Sequence, residues 1–566
     1  MTKNKQKKKE IKEEKELEIE IKNPEILILS LILIILFFLQ LKVTLNRPFA
    51  FGDEGYHGML QRYMGLAKDY PKWRPYYSNP LGENGVFDNP LWHLLGGSLF
   101  MIFGTDIAIK ILIPFIGVIC VGFATYFLTK QIFENKTIAF TAAIISVTIP
   151  SVVTYSVLNY KDAMMTFYFT FFSLTFILAM KTKNQKYWII LGILGGLIIL
   201  GKTSGFAMVP SLIAMFFIYR LYEEKRLLKV IKEFSSLIII IALITSTYFL
   251  RNFVFYKTPV CSSFFGLFNT EGCNLTKIKY ESKYRFEGRT VEVGTEATPI
   301  KIGFTNYLDF AYGNLWLLPL FFTLGMFYLI YNKSKIDIML IIVILSFIPI
   351  YYIAFRARAE DTARWLMPLV PIMAIIASSY MSNIYDFMKK HLKTLALVFF
   401  IFVIFFSYKN FNQKLQIMDQ VKQFSPAFLQ ACEWIKTNTP KDARLGGIVY
   451  MPAAGYNCDR NIAGGGPDVV LSQNKTLALS VLHMQNVSYL FIQKSIIDWS
   501  DAKLTERHPI SFVKFLESEP KVFVKVYETG PNLDQCKQQG GCDGIIIYQI
   551  NYTDVKLIPV EKLISN

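Results

Sequence analysis

The stretch ILILSLILIILFFLQLKVTL, residues Ile26–Leu45, decides the fold class of this chain. A helix needs about 20 predominantly apolar residues to cross the hydrocarbon core of a bilayer, and this stretch reaches that length. It follows the charged tail MTKNKQKKKEIKEEKELEIEIK, which holds no apolar segment and is therefore not a signal peptide. No small-residue cleavage site follows the stretch. We therefore predict a retained first membrane span.

Further apolar runs recur along the chain as far as residue 408. They lie near residues 106–129, 138–156, 163–180, 187–201, 204–219, 234–250, 312–331, 336–355, 365–384 and 394–408. Charged residues make up 18% of the 566 residues, against about 25% in soluble chains, and they cluster between the runs. This pattern excludes an ordinary soluble enzyme and a disordered protein. It predicts a polytopic α-helical membrane protein with about eleven transmembrane helices.

The helix count depends on how two parts of the sequence are interpreted. The short runs 187–201 and 204–219 are separated only by Lys202 and Thr203, and they form either a tight helical hairpin or one bent re-entrant unit. The segment 90–104, PLWHLLGGSLFMIFG, is apolar but too short to cross a bilayer. We predict that it is an interfacial helix lying on the membrane surface.

The distribution of basic residues predicts the orientation. Lysine and arginine clusters occupy the N-terminal tail and every second connection after it, as expected when cytoplasmic loops carry the excess of positive charge. The net charge of +17 therefore reports topology and gives no reason to expect a nucleic-acid partner. We predict a multi-pass cell-membrane protein with its N-terminus in the cytoplasm, its C-terminal part outside, and a prokaryotic host.

This orientation divides the chain into three parts. Residues 1–24 form a charged cytoplasmic tail, residues 25–409 form the transmembrane domain, and residues 410–566 form an extracytoplasmic soluble domain. The transmembrane domain carries two exterior loops, at about residues 46–105 and 251–311. In the soluble domain we expect an α/β or α+β fold. Its predicted strands are 443–450, 488–493, 521–527 and 544–550, and its predicted helix is 425–440.

Six of the seven cysteines fall outside the membrane in this arrangement, where disulfides form readily. Cys261–Cys273 and Cys536–Cys542 are local pairs whose spacing permits a bridge. The connectivity stays open at this point.

Three acidic residues, in two parts of the sequence, are candidate catalytic residues. Asp53 and Glu54 are adjacent in the first exterior loop, within RPFAFGDEGYHGMLQRY, and carboxylates there suit a general base or a cation site. The alternative is a solvated turn or a helix N-terminus. Asp162 lies in SVLNYKDAMMTFYF at the start of a predicted span, where a carboxylate either caps the helix or serves function.

Basic residues on the outer side, against the charge rule, need an anionic partner. Arg251 closes one span and Arg364 precedes another. The partner of Arg364 is either a nearby acid, Glu360 or Asp361, or an anionic lipid or phosphate held by the guanidinium fork. Lys202 joins this group if the short hairpin turns at the outer surface.

Other catalytic templates do not appear in the sequence. It has no phosphate-binding P-loop, no GxSxG motif and no HExxH or paired CxxC motif. No cofactor is therefore predicted with certainty. A divalent metal ion stays open, and its candidate ligands are Asp53, Asp162 and His57.

The order of these motifs resembles the type C glycosyltransferase superfamily (GT-C), in particular the branch of protein O-mannosyltransferases and lipid A aminoarabinose transferases. The resemblance covers about residues 25–385. It is carried by DEGYH (Asp53–His57), DNPLWHLLGGSLFMIFG (Asp88–Gly104), Asp162, LGILGGLIILGK (Leu191–Lys202), RNFVFYKTP (Arg251–Pro259) and RWLMPLVP (Arg364–Pro371). One departure is Asp-Asn-Pro at residue 88, where relatives often have Lys or His before two prolines. It puts a phosphate contact at that loop in doubt.

The resemblance implies a membrane glycosyltransferase that uses a sugar carried on a polyprenyl phosphate. The acceptor would be a protein, lipid or glycan on the extracytoplasmic face, and the reaction would invert the anomeric centre. Asp53 matches the family's catalytic acid, with Glu54 and Asp162 beside it. Arg251, Arg364 and Lys202 would bind the donor phosphate.

Three alternatives to this function stay open, and one is a non-catalytic surface-anchoring protein whose exterior domain is the functional part. A transporter or flippase of lipid-linked sugars would place polar groups near mid-membrane and often show internal repeats, and neither is seen here. An oligosaccharyltransferase would carry a WWDYG-like motif in its exterior domain. The nearest string, Asp498–Trp499 in IIDWSDAK, does not match that motif.

Overall fold

The structure is a computed structural model, and it describes most of the membrane region and much of the C-terminal part. The described residues are 24–49, 53–71, 77–78, 88–256, 317–354, 359–420, 426–448, 451–463, 475–494, 516–538, 542–553 and 555–559.

The described part of the membrane region is mainly helical. Its helices are α1 (Pro24–Asn46), α2 (Glu54–Ala67), α3 (Leu91–Phe103), α4 (Ile107–Phe133, π-helical over Phe115–Cys120), α5 (Lys136–Thr148), α6 (Pro150–Tyr155), α7 (Asp162–Thr182), α8 (Gln185–Gly201), α9 (Gly205–Glu224), α10 (Leu227–Tyr256), α11 (Leu317–Asn332), α12 (Lys335–Leu345), α13 (Ile348–Ala354), α14 (Ala359–Leu366), α15 (Val370–His391) and α16 (Lys393–Gln420). Every predicted apolar run corresponds to one or two of these helices.

The structure confirms a polytopic helical protein. Among the described residues, five helical segments are long and apolar enough to cross a membrane: Pro24–Asn46, Ile107–Phe133, Asp162–Thr182, Gly205–Glu224 and Ala363–His391. The count of eleven crossings stays a prediction, because several other apolar helices are shorter. The segments 187–201 and 204–219 form two separate helices, α8 and α9, with a turn at Lys202. The predicted helix at 90–104 is present as α3.

The C-terminal part contains a mixed sheet with helices around it. Its elements are α17 (Pro426–Asn438), β2 (Arg444–Ile448), α18 (Met451–Cys458), β3 (Asn461–Ala463), α19 (Lys475–Met484), β4 (Tyr489–Gln493), β5 (Phe523–Glu528), α20 (Leu533–Gln538) and β6 (Ile545–Ile550). The four predicted strands and the helix at 425–440 are confirmed. The short strand β3 was not predicted, because three residues carry no readable alternation.

The sheet takes its edge strand from the first exterior loop. The strand order is β1-β3-β2-β4-β6-β5, where β1 is Tyr77–Ser78. Strand β1 runs parallel to β3, with Tyr77 opposite Ile462. Strand β2 is parallel to both β3 and β4, whereas β6 is antiparallel to β4 and β5.

One hydrophobic core joins the exterior loop to the C-terminal part. Phe49 precedes α2, Met59 lies within it, and Trp92 lies in α3. All three belong to the same buried cluster as Phe428 of α17 and Tyr456 of α18. Because the hydrophobic effect scales with the apolar area removed from water, the two segments stabilise each other across the sequence.

Two disulfides lie in the C-terminal part. Cys536–Cys542 forms as the spacing permits. Cys432–Cys458 links α17 to α18 and was not predicted, because its partners lie 26 residues apart in sequence. The predicted pair Cys261–Cys273 lies outside the described residues.

Candidate active site

Asp162 is the buried centre of the candidate site. It is the first residue of α7, where a carboxylate is favoured by the helix dipole, and its side chain is only 1% exposed. Lys202, in the turn between α8 and α9, places Nζ 2.5 Å from Oδ1 of Asp162. Arg364 of α14 donates from Nε to Oδ2 of Asp162 at 3.3 Å. One buried carboxylate therefore holds two cations that the sequence places far apart.

Asp53 lies at the edge of this ion-pair group. Its carboxylate Oδ2 is 4.0 Å from an Arg364 terminal nitrogen, and its side chain is 53% exposed. Asp53 is the N-cap of α2, and its backbone N–H donates to the Tyr160 hydroxyl at 3.0 Å. The Arg364 guanidinium lies 4.4 Å from the centre of the Tyr160 ring. The site thus offers an accessible carboxylate beside a cation whose position is fixed.

Glu54 has a different environment from its neighbour. Its side chain is buried, and Oε1 accepts the backbone N–H of Asn159 at 2.8 Å. Oε2 is 3.4 Å from the Arg47 guanidinium, which also donates to the carbonyl of Val157. These contacts tie α2 to the connection between α6 and α7. They support a positioning role for Glu54 in holding the loop that carries Tyr160.

Asp88 is a site residue that the sequence analysis did not select. Its carboxylate accepts the Tyr56 hydroxyl at 2.6 Å and pairs with Lys161 Nζ at 3.1 Å. Burial alone would raise the pKa of Asp88, but Lys161 and the Tyr56 hydroxyl hold this pKa well below its usual range. The sequence signal that could have indicated Asp88 was Lys161, which is next to Asp162 in the chain. Its side chain pairs with Asp88.

Arg251 is linked to the same loop from α10. It donates to the carbonyl of Pro71 at 2.8 Å, and its guanidinium lies 4.7 Å from the centre of the Tyr70 ring. The Tyr70 hydroxyl in turn donates to the carbonyl of Asp88 at 3.1 Å. Arg251 therefore reaches the site through Tyr70 and Asp88.

His57 pairs with a second histidine. Its Nδ1 is 2.9 Å from Nε2 of His93 in α3, and both rings are buried. Burial, with Lys161 nearby, lowers the pKa of His57 well below its ordinary value. This imidazole is therefore neutral near pH 7.

The three candidate metal ligands do not fit a metal site. Both oxygens of Asp162 face cations, and His57 is engaged by His93. Within the described ranges, no group of three or more His, Cys, Asp or Glu side chains is placed to hold a metal ion.

The structure brings the predicted candidates Asp53, Asp162, Lys202 and Arg364 together. The acids near Arg364 in sequence, Glu360 and Asp361, have side chains outside the described residues. The described partners of Arg364 are Asp162 and Asp53, from other parts of the chain. Sequence proximity could not identify these partners, because the ion pairs form between elements distant in the chain.

A model of the family "Dolichyl-phosphate-mannose-protein mannosyltransferase" matches residues 89–249, less than half of the chain. This range includes Asp162 and Lys202. No curated protein matches the chain in sequence.

Solved structures of two glycosyltransferases share the fold. The oligosaccharyltransferase AglB from Archaeoglobus fulgidus, in complex with an inhibitory peptide and a dolichol-phosphate, is 15% identical with a TM-score of 0.58, over 94% of this chain and 75% of that one. ArnT from Cupriavidus metallidurans in the apo state is 10% identical with a TM-score of 0.58, over 92% of this chain and 97% of that one. ArnT bound to undecaprenyl phosphate gives a TM-score of 0.57 at 11% identity, over 93% of this chain and 98% of that one.

These matches confirm the resemblance to the type C glycosyltransferases. The fold is shared over nearly the whole chain, including the C-terminal part with its sheet. The family match and the structural matches together indicate a multi-pass membrane glycosyltransferase.

Proposed function

We propose that this chain transfers a sugar from a polyprenyl-phosphate-linked donor to a protein, lipid or glycan on the extracytoplasmic face of the membrane. The observation that carries the proposal is the accessible carboxylate of Asp53 beside Arg364, whose guanidinium is fixed by the buried Asp162. A transferase of this type needs a base for the acceptor and a cation for the phosphate. These two groups lie 4.0 Å apart here.

In the proposed reaction Asp53 is the general base. It accepts the proton of the acceptor hydroxyl while the oxygen attacks the anomeric carbon. The bond between that carbon and the donor phosphate oxygen breaks, and polyprenyl phosphate leaves with the electron pair. One displacement inverts the anomeric centre, and no glycosyl-enzyme forms.

The proposed phosphate ligands are Arg364, Lys202 and Arg251. A guanidinium can bind phosphate through two parallel hydrogen bonds, and Asp162 holds both Arg364 and Lys202 in position. The structural relatives support a lipid phosphate as the ligand, since AglB was solved with dolichol-phosphate and ArnT with undecaprenyl phosphate. Arg251 would contribute from the end of α10.

Transfer assays with the full chain in lipid nanodiscs test this proposal. Polyprenyl-phosphate sugars are supplied with membrane extract as the acceptor source, and mass spectrometry follows released polyprenyl phosphate and glycosylated product. We expect sugar transfer with inverted anomeric configuration. Movement of intact lipid-linked sugar across the bilayer without cleavage would contradict the proposal and favour the transporter.

A second candidate is transfer of a whole glycan to asparagine. The fold match to AglB over 94% of the chain favours this second function. The lack of a WWDYG-like motif in the sequence argues against it. The same nanodiscs, given a lipid-linked oligosaccharide and a peptide with an Asn-x-Thr sequence, distinguish the two. Glycopeptide formation there, without transfer from single-sugar donors, would select this candidate.

The proposed orientation places the N-terminus in the cytoplasm and the site outside. Cysteines introduced at Gln185 and Asp442, both exposed, would report it in intact cells against the wild-type background. We expect an impermeant maleimide to label the Asp442→Cys protein only. The opposite labelling pattern would contradict this topology.

A further inference from the structure

Tyr456 of the C-terminal part contacts both sequence flanks of Asp53. Its ring lies 5.3 Å from that of Phe49, which precedes Asp53. On the other flank, a β-carbon added at Gly58 of α2 would come within 2.8 Å of the Tyr456 ring. The neighbouring Asn457 donates to the carbonyl of Phe49 at 3.2 Å. Helix α18 therefore packs against the segment that carries the proposed base.

Polar contacts fix Tyr456 on its other sides. Its hydroxyl donates to Oδ2 of Asp106, at the start of α4, at 2.8 Å. Arg62 of α2 donates to the Tyr456 carbonyl at 3.1 Å, and its guanidinium lies 4.2 Å from the centre of the ring. Tyr456 itself is buried. A tyrosine anchored in this way joins α2, α4 and α18.

Helix α18 is in turn fixed within its own domain. The disulfide Cys432–Cys458 attaches its last residue to α17, and both cysteines are buried. Gly455 packs near Met59 of α2, because a β-carbon added at Gly455 would lie 2.9 Å from the Met59 sulfur. Displacement of α18 would therefore move α2 or open the shared core.

We propose that Tyr456 is a positioning residue that sets the location of Asp53, so that the C-terminal part belongs to the catalytic unit. The inference rests on the proposed function, because it assigns Asp53 the role of base. Asp53 is the N-cap of α2, so its position follows that of the helix that packs on Tyr456 through Gly58. A displacement of about 1 Å at a reacting group can cost about 100-fold in rate.

Two variants perturb this contact from opposite sides. Tyr456→Phe removes only the hydroxyl that binds Asp106. Gly58→Ala adds a methyl group against the rings of Tyr456 and Phe49. Alanine is the better helix former, so a loss of activity would come from this packing and not from a weaker helix. The control is Tyr552→Phe, because the Tyr552 hydroxyl also binds a carbonyl within the C-terminal part, that of Val487 at 2.8 Å.

The measurements are amide hydrogen exchange of the full chain in detergent and steady-state transfer kinetics. We expect faster exchange in residues 54–67 for Tyr456→Phe and Gly58→Ala, and wild-type exchange there for Tyr552→Phe. We also expect kcat to fall about 10- to 100-fold with an unchanged KM for the lipid donor, and Tyr552→Phe to keep wild-type kinetics.

Two results would overturn the inference. One is unchanged exchange in α2 for both variants, whatever their activity. The other is faster exchange with an unchanged kcat, which would leave Tyr456 a purely structural contact. A wild-type protein that transfers no sugar from any lipid-linked donor would instead refute the proposed function, and the exchange data would still decide whether α18 holds α2.

Discussion

Arg364 and Asp162 form an ion pair at 3.3 Å although 202 residues separate them in the chain. The pair lies between α14 and the start of α7, and Lys202 contacts the other oxygen of the same carboxylate. Removing charges from water is costly, and a buried carboxylate is retained only when it is well paired. The arrangement therefore keeps Arg364 beside Asp53 at the proposed phosphate site.

Asp53→Asn should remove most of the activity and leave the fold intact. Asparagine has the size of aspartate but cannot accept the acceptor's proton, and general-base catalysis contributes about 10²–10⁴-fold. We expect kcat to fall by that order, with unchanged thermal stability and donor binding. Steady-state transfer kinetics measure this fall in kcat. The control is Asp442→Asn, because Asp442 is an exposed aspartate of the C-terminal part. Near-normal turnover in Asp53→Asn would contradict the assignment of the base.

Asp162→Asn should lower stability as well as activity. It leaves Lys202 and Arg364 without their shared carboxylate, and breaking a buried ion pair by removing one partner costs about 3–5 kcal/mol. Thermal unfolding in detergent would show a lower midpoint than in Asp53→Asn. Adding Lys202→Met to Asp162→Asn should recover part of that loss, because one unpaired cation is removed.

The same two variants test whether a metal takes part. If Asp53 and Asp162 bound a shared cation, their asparagine variants would have the same phenotype, and a chelator would reproduce it in the wild-type protein. We expect instead that the two variants differ in stability and that chelators leave turnover unchanged.

Arg364→Ala should weaken use of the lipid donor. A hydrogen bond to a charged group contributes about 1.5–3 kcal/mol, so the donor KM should rise about 10- to 150-fold. Arg364→Lys should recover only part of this, because lysine lacks the planar fork. The control is Arg220→Ala, since Arg220 is also buried and pairs with Glu233 at 2.9 Å. It should lose stability with an unchanged donor KM, and an unchanged KM in Arg364→Ala would exclude a phosphate role.

Acid should destabilise the C-terminal part through Glu528. The buried Lys494 contacts Oε1 of Glu528 at 2.8 Å, and Lys525 contacts Oε2 at 2.8 Å. Burial alone would raise the pKa of Glu528, but these two lysines lower it below its ordinary value of 4.5. The pair therefore contributes stability above pH 4.5, and this stability is lost as the pH falls through the lower folded value.

Thermal unfolding of the wild-type protein and of Glu528→Gln at neutral and acid pH tests this dependence. The wild-type midpoint should lie above that of Glu528→Gln at pH 7, and the difference should shrink below pH 4.5. A constant difference across the range would show that the ion pair does not contribute.

Much of the fold could be predicted from local sequence. A run such as Ile26–Leu45 must be helical in a bilayer, because its backbone polar groups can be satisfied only within the segment. The strands of the C-terminal part were also predicted, since their apolar runs lie between turn residues. The candidate acids were identified because a carboxylate beside a membrane span is costly and needs a reason to be there.

The sequence by itself therefore determined the class of fold and the candidate residues, because helix formation and burial depend on local composition. Only the tertiary structure decided the partners. The contacts of Arg364 with Asp162, of Lys161 with Asp88, and of Tyr456 with the flanks of Asp53 join elements distant in the chain. The physical reason is that an ion pair or a packed ring depends on distances of a few ångströms. Those distances are set by how the helices and the sheet pack together, which no local pattern encodes.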